Sequence, residues 1–387
     1  MTEEVLPAIY YVGADDTTLD LFESQYPIPH GISYNSYVIL DEKIAVMDTI
    51  DRRKTQEWLQ HVDEVLQGRQ PDYLVVQHME PDHSASVGAF LEQYPHTTVV
   101  ATAKALQMLP QYFEHTDFCG HTLAVKEGDK LCLGAHTLTF VLAPMVHWPE
   151  VMVSYEESQQ VLFSADAFGK FGALSCSEPW TDEARRYFIN IVGKYGVQVQ
   201  ALLKKAAALP ISTICPLHGP VLKQQLAQYI ALYDTWSKYE PEEEGVLVAY
   251  ASIHGHTAIA AQEMAKILEQ HGAKVITADL CRIDKAEAVA QAFRLKRMVV
   301  AASSYDAGVF TPMHDFLHRL HIKNYQKRTV GIIENGSWSP TAGKVMKGML
   351  EGMKALTLAE PMVTIRGAMK QADRTQLEAL AQAVLAD

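Results

Sequence analysis

The chain of 387 residues has few cysteines, and none of the five forms a Cys-x-x-Cys pair. Cys119, Cys132, Cys176, Cys215 and Cys281 are scattered, which argues against an iron–sulfur, rubredoxin-type or zinc-ribbon site within the chain. An odd, unpaired set fits a reducing cytoplasm. No stretch approaches about 18 consecutive apolar residues, so no membrane-spanning helix is expected. The acidic start Met1-Thr2-Glu3-Glu4 carries no apolar signal core. Basic residues are in deficit, with 33 Lys and Arg against 46 Asp and Glu and a net charge of −13. That disfavours nucleic acid and anionic membranes as main partners. It leaves a small substrate, or a protein with a matching basic patch. Internal repeats and low-complexity segments are absent, and the length predicts two or three domains.

What is there centres on Val75-Val76-Gln77-His78-Met79-Glu80-Pro81-Asp82-His83-Ser84. The apolar run Tyr73 to Val76 reads as a buried strand that delivers His78, Glu80, Asp82 and His83 at its end. Pro81 disfavours a helix across the group, so the four are expected on a loop. In an extended segment, residues i, i+2 and i+4 share a face, which puts His78, Glu80 and Asp82 on one side. Carboxylates with imidazoles suit iron, manganese or zinc.

The first 240 or so residues read as short strands with intervening helices. Ser36–Leu40 and Ile44–Asp48 form a predicted hairpin, and Lys54–Leu66 is a predicted helix. Ala85–Gln93 is a predicted helix capped by Ser84. Leu123–Val125 and Leu131–Leu133 are predicted to pair across Gly128-Asp129. Further apolar strands run into His147, Asp166 and His218. Each of these alone has a bland reading as a satisfied core histidine or a cap. Their recurrence at strand ends after the opening cluster predicts a binuclear site at one edge of a sheet.

Glu240-Pro241-Glu242-Glu243-Glu244 reads as a solvated linker. It separates predicted domains at 1–241 and 246–387. From Val246 five strand–helix units alternate, which predicts a doubly wound parallel sheet. No Gly-x-Gly-x-x-Gly follows the first strand, so a dinucleotide site is not indicated. Instead Ser252-Ile253-His254-Gly255-His256-Thr257 joins strand to helix, a helix N-terminus suited to a phosphate monoester. Ser304-Tyr305-Asp306-Ala307-Gly308 and Asn335-Gly336-Ser337-Trp338 follow the third and fourth strands. Together these loops form a predicted cofactor site at the topological switch point, with Tyr305 and Trp338 placed to stack on a flat ring.

His78-x-Glu80-x-Asp82-His83, with His147, Asp166 and His218 at these spacings, resembles the metallo-β-lactamase-like domain. Glu80 stands where the hydrolases of that superfamily carry a second histidine, which favours iron over zinc. With the second domain's phosphate loop, which resembles that of flavodoxin, the whole chain resembles the flavodiiron proteins (A-type flavoproteins). Trp148 after His147 and the segment Pro29–Tyr37 fit the same family. The resemblance implies an αββα sandwich followed by a flavodoxin-like domain, with FMN and two non-haem irons. It implies reduction of dioxygen to water, of nitric oxide to nitrous oxide, or both. His78, Glu80, His147 and Asp166 would hold one iron. Asp82, His83, Asp166 and His218 would hold the other, with Asp166 bridging and the place of His83 left open. The family further implies a head-to-tail homodimer or a dimer of dimers, one chain's flavin serving its partner's irons. An outside electron donor is expected, rubredoxin first and a reduced deazaflavin second. Two other readings stay open: a metal-dependent hydrolase with a fused flavodoxin, and a flavodoxin-like electron carrier on an inert scaffold.

Overall fold

Short strands that are buried on both faces can be stable only inside a layered core, and the first part of the chain is built that way. The computed structural model describes residues 2–114, 116, 118 and 120–386. The chain divides into two compact units. One takes the chain up to Phe188 and Val197–Asp234; the other takes Ile189–Gly196 and the chain from Thr235 on.

In the first unit a seven-stranded sheet runs Glu3–Leu6, Ile9–Tyr11, Tyr37–Ile39, Ala45–Met47, Tyr73–Val76, Thr98–Thr102, Thr122–Val125. Pairing is antiparallel as far as Ala45–Met47 and parallel beyond it. A five-stranded sheet runs Lys130–Cys132, Thr137–Leu142, Met152–Glu156, Val161–Phe163, Thr213–Cys215. Alternate residues of the first sheet (Tyr37, Ile39, Ala45, Met47, Val75, Val100) pack with Leu138, Phe140, Met152 and Phe163 of the second in one core. Helix Thr55–Leu66 buries Trp58, Leu59, Val62, Val65 and Leu66, one stripe at helical spacing. Asp51 caps the turn before it by accepting from the Arg53 N–H.

Two expectations are corrected here. Leu123–Val125 and Leu131–Leu133 do not form a hairpin. Thr122–Val125 pairs in parallel with Thr98–Thr102, and Lys130–Cys132 pairs with Thr137–Leu142 in the other sheet. The Gly128-Asp129 turn therefore carries the chain from sheet to sheet. Nor are Glu243 and Glu244 free linker residues. They open the strand Glu243–Ala251, where Glu243 pairs with Arg294 at 2.5 Å and with Lys274, and Glu244 pairs with Arg297 at 2.7 Å. Of the cysteines, Cys132, Cys176, Cys215 and Cys281 are free thiols; Cys119 lies outside the described residues.

The second unit has a parallel sheet ordered Val275–Asp279, Glu243–Ala251, Leu295–Tyr305, Thr329–Asn335, with Thr357–Leu358 and Val363–Ile365 both on the last edge. The second strand lies outside the first and the later ones run the other way, the doubly wound order that leaves a crevice where the direction reverses. Tyr305 turns back through Asp306 and Ala307, both left-handed, into Gly308–Val309. Arg328, just before the strand Thr329–Asn335, is buried and, among the described residues, donates to backbone carbonyl oxygens. It donates to Tyr239 O at 2.7 Å, Leu295 O at 2.8 Å, and also to Phe293 O. Burial holds its guanidinium below the usual range. Arg328→Met is expected to strand these acceptors and lower stability by about 3 kcal/mol, read as a drop in Tm. No described helix is long and apolar enough to cross a membrane.

Candidate metal centre and cofactor cavity

Every candidate ligand of the first unit lies just past a buried strand. His78 follows Tyr73–Val76, His147 follows Thr137–Leu142, Asp166 follows Val161–Phe163, and His218 follows Thr213–Cys215. The loops are tied together: Leu217 N–H donates to Ala165 O at 2.9 Å and Ser164 N–H to Cys215 O at 3.1 Å. Met145 and Ala165 take left-handed backbone (φ 64° and 49°) next to the ligand positions, a conformation that costs about 1–2 kcal/mol away from glycine. Gly219, at φ 81°, cannot be replaced cheaply, because a Cβ there would meet Lys170 Cγ at 2.8 Å.

The opening motif is not one extended loop. Pro81 is the first residue of a helical turn, Pro81–Ser84, with Glu80 as its N-cap. At that position the missing proline N–H costs nothing, since no intrahelical acceptor awaits it. Nor does Ser84 cap the next helix, which is Val87–Gln93 with Ser86 before it. The switch from strand to helix turns Asp82 away from His78 and Glu80. His78, Glu80, His147 and Asp166 form one group, and Asp82, His83 and His218 another, the ligand atoms of each within 4.8 Å of one another.

In the first group His147 Nε2 lies 3.0 Å from Glu80 Oε2 and 3.1 Å from Asp166 Oδ2. His78 Nε2 lies 3.3 Å from each of the same two oxygens. In the second, Asp82 Oδ2 is 3.2 Å from His218 Nε2 and 3.4 Å from His83 Nε2. Asp166 Oδ1 lies 3.1 Å from His83 Nε2, so its two oxygens face opposite groups. Ligand atoms about 2.1 Å from one ion sit about 3.0 Å apart at right angles and about 3.4 Å apart at a tetrahedral angle. Both groups have that spacing. Asp82 Oδ1 and Oδ2, His83 Nε2, Asp166 Oδ1 and His218 Nε2 are buried and complete no hydrogen bond. Buried polar atoms left this way are costly, and here they converge, as a cation requires. The donor set, imidazoles with carboxylates and no thiolate, fits iron.

The electrostatics agree. Burial pulls His147 down, but Asp166 and Glu80 outweigh it and push it up to about 9. Burial likewise opposes, and Asp166, Glu150 and Glu80 overcome, a rise of His78 well above its ordinary value. Against burial, the imidazoles of His83, His147 and His78 hold Asp166 well below the carboxylate range. Asp166 is thus kept ionised for a positive charge.

Surrounding groups aim the imidazoles. His218 Nδ1 lies 2.7 Å from Ser33 O, an acceptor only, so Nδ1 carries the proton and Nε2 faces the site with its lone pair. His78 Nδ1 lies 2.8 Å from Glu150 Oε1, which also accepts from Met79 N–H at 2.9 Å. Asn35 Nδ2 grips the His218 loop by donating to Pro216 O and Gly219 O, at 2.8 and 2.7 Å. Asp48 accepts from Gln77 N–H at 2.7 Å. His83 Nδ1, by contrast, is buried without a hydrogen bond. Sequence reasoning assigned no role to Ser33, Asn35, Asp48 or Glu150. The available signals were a charged residue just before the apolar strand at Met152, and the polar pair Asn35-Ser36 between strands.

In the second unit three strand-end loops enclose a cavity of about 760 Å³. Of the residues expected there, Ser252, Ile253, His254, His256, Thr257, Ser304, Tyr305, Asp306, Ala307, Asn335, Gly336, Ser337 and Trp338 line it. Gly255 and Gly308 do not. Gly255 instead forms the left-handed N-cap (φ 90°) of helix His256–Gln270, and Gly308 O accepts from Thr341 Oγ1 at 2.9 Å. The lining adds Gly367, from the loop after the last strand, which holds Asn335 through two hydrogen bonds of 2.9 and 3.0 Å. Tyr305 and Trp338 are 48% and 91% exposed. Two large uncovered rings beside a helix N-terminus fit a flat aromatic cofactor with a phosphate tail.

Residues 32–219 match the family described as ODP family beta lactamase. The first unit is therefore a metallo-β-lactamase-like domain. The chain is 28% identical to the nitric oxide reductase of Moorella thermoacetica, over 94% of this chain and 92% of that one. In structure it matches the rubredoxin oxygen:oxidoreductase of Desulfovibrio gigas with a TM-score of 0.93 at 25% identity, covering 99% and 98% of the two chains. The flavodiiron protein of Giardia intestinalis shares the fold, with a TM-score of 0.92 at 23% identity, over 99% and 96%. These matches together support a flavodiiron protein and an oxidoreductase.

Proposed function

We propose that the chain reduces dioxygen to water, nitric oxide to nitrous oxide, or both, at a di-iron centre supplied with electrons through FMN. The observation that carries this reading is Asp166, whose two oxygens face two separate ligand groups. His78, Glu80, His147 and Asp166 would hold one iron, and Asp82, His83, His218 and Asp166 the other. When bound, the iron pair would supply electrons and Lewis-acid polarisation to the gas, and FMN would restore those electrons one at a time.

The chain's own residues set the conditions. Glu150 and the Ser33 carbonyl fix which nitrogen of His78 and His218 faces inward. Phe22, Tyr34 and Tyr187 pack edge-on or tilted around His218 and keep water from that side. In the second unit, the start of helix His256–Gln270 would take the FMN phosphate, and Tyr305 and Trp338 the ring. Trp338→Ala is expected to weaken FMN binding about tenfold, measured by flavin fluorescence. By similarity to the D. gigas protein, whose name gives rubredoxin, the electron donor is a rubredoxin, with a reduced deazaflavin as the second choice. The working assembly is a head-to-tail homodimer or a dimer of such dimers, and the free thiols fit a reducing compartment.

The test is metal analysis followed by anaerobic stopped-flow mixing of the reduced protein with dioxygen and, separately, nitric oxide. Iron with rapid flavin reoxidation by either gas supports the reading, and comparable rates with both define a dual reductase. Zinc occupancy with turnover of esters or lactams would make the chain a hydrolase instead.

A further inference from the structure

The phosphate end of the flavin cavity holds no fixed positive charge. That end is made by Ser252, Ile253, His254, His256 and Thr257, and no described residue lining the cavity is Lys or Arg. Asp306 adds a carboxylate to the wall, and the whole chain carries −13. A phosphate monoester brings about 1.5 to 2 negative charges at pH 7. One backbone donor of this loop is already committed, since Gly255 N–H donates to Ser252 Oγ at 3.1 Å, and the Thr257 and Ser303 hydroxyls share one hydrogen bond of 2.8 Å. The helix N-terminus supplies partial charge only. The two exposed imidazoles that flank Gly255 are the remaining source of a full one.

We infer that His254 and His256 are the titrating counter-charge of the flavin phosphate, so that FMN binds with proton uptake and is released as pH rises. This rests on the flavin reading above. Phosphate binding favours the imidazolium, so the complex holds more protons than the separated partners, and low pH favours it. Below about pH 6 the phosphate takes up its own second proton, and the gain levels off. Other ionisable groups surround the loop. Tyr305 and Asp306 lie on the wall. Cys281 Sγ lies 3.9 Å from Ser252 O, on a loop that carries Arg282 and follows Asp279, the last residue of its strand. Arg366 precedes the lining residue Gly367. Neither arginine lines the cavity, so the histidines dominate the pH dependence near neutrality.

The full-length chain, stripped of flavin, is titrated with FMN and separately with riboflavin, which lacks the phosphate, and binding is followed by fluorescence quenching. Between about pH 6.5 and about pH 8.5 the Kd for FMN is expected to rise about tenfold or more, while that for riboflavin stays within about twofold. The double variant H254Q/H256Q, at exposed positions, should keep its Tm and lose the FMN slope. An equal slope for riboflavin, or a slope that survives in the double variant, would overturn the inference while leaving the flavin site in place. Binding of neither flavin at any pH would overturn the flavin reading, and the inference with it.

Discussion

Asp166→Ala is expected to strip metal from the candidate centre while leaving flavin binding unchanged. Asp166 is fully buried and offers one oxygen to each ligand group, so its loss removes a ligand from both. It also removes the anion that holds His78, His83 and His147 in place. Metal content should fall by at least one ion per chain and gas reduction by at least about 100-fold, beyond what loss of a supporting hydrogen bond causes. FMN content should not change, because the cavity that would hold it belongs to the other compact unit. Asp166→Asn keeps the volume and loses the charge, which separates a ligand effect from a packing defect. Turnover retained in both variants would remove Asp166 from the centre.

Glu150→Gln should lower metal affinity by about 10–100-fold without emptying the site. Glu150 Oε1 accepts from His78 Nδ1 and Met79 N–H together. Burial works against its charge, yet His78 and the Met79 N–H hold its carboxyl below the ordinary range. The amide loses that charge and can turn its NH₂ toward His78, which frees the ring to rotate. Glu150→Ala goes further and leaves the buried Met79 N–H without an acceptor, costing about 2–3 kcal/mol of stability as well. Chelator competition gives the affinity and thermal unfolding the stability. Unchanged affinity in the glutamine variant would show that His78 is aimed by something else.

Most of the strands were legible because apolar runs ended at chemistry-bearing residues, whereas the placing of Ile189–Gly196 with the second unit was not. The candidate ligand positions stood out for the same reason: four strand ends carry them. The hairpin assigned to Leu123–Leu133 failed because a Gly-Asp turn has the same local chemistry whether its flanking strands pair with each other or enter different sheets. Only the long-range partners, Thr98–Thr102 and Thr137–Leu142, decide that. Pro81 was read as a breaker, though at the first helical position it starts a turn. The tight β-turn unit Leu21–Phe22 with Tyr26–Pro27 was invisible because two-residue strands have no period to detect. Glu150, Ser33 and Asp48 support the site through hydrogen bonds across the fold, which spacing along the chain cannot register.

The strand-to-helix switch at Pro81 has a consequence for how this centre can vary. Four neighbouring positions are dealt two and two: His78 and Glu80 to one candidate ligand group, Asp82 and His83 to the other. A single codon change at position 80 alters the charge around one ion and leaves the direct ligands of its neighbour untouched. Changes at 82 or 83 do the reverse. Inserting a residue between Glu80 and Asp82 would disturb both at once. A motif of six residues thus divides its direct mutational effects between two ligand groups, with Asp166 left as the link through which a change in one reaches the other.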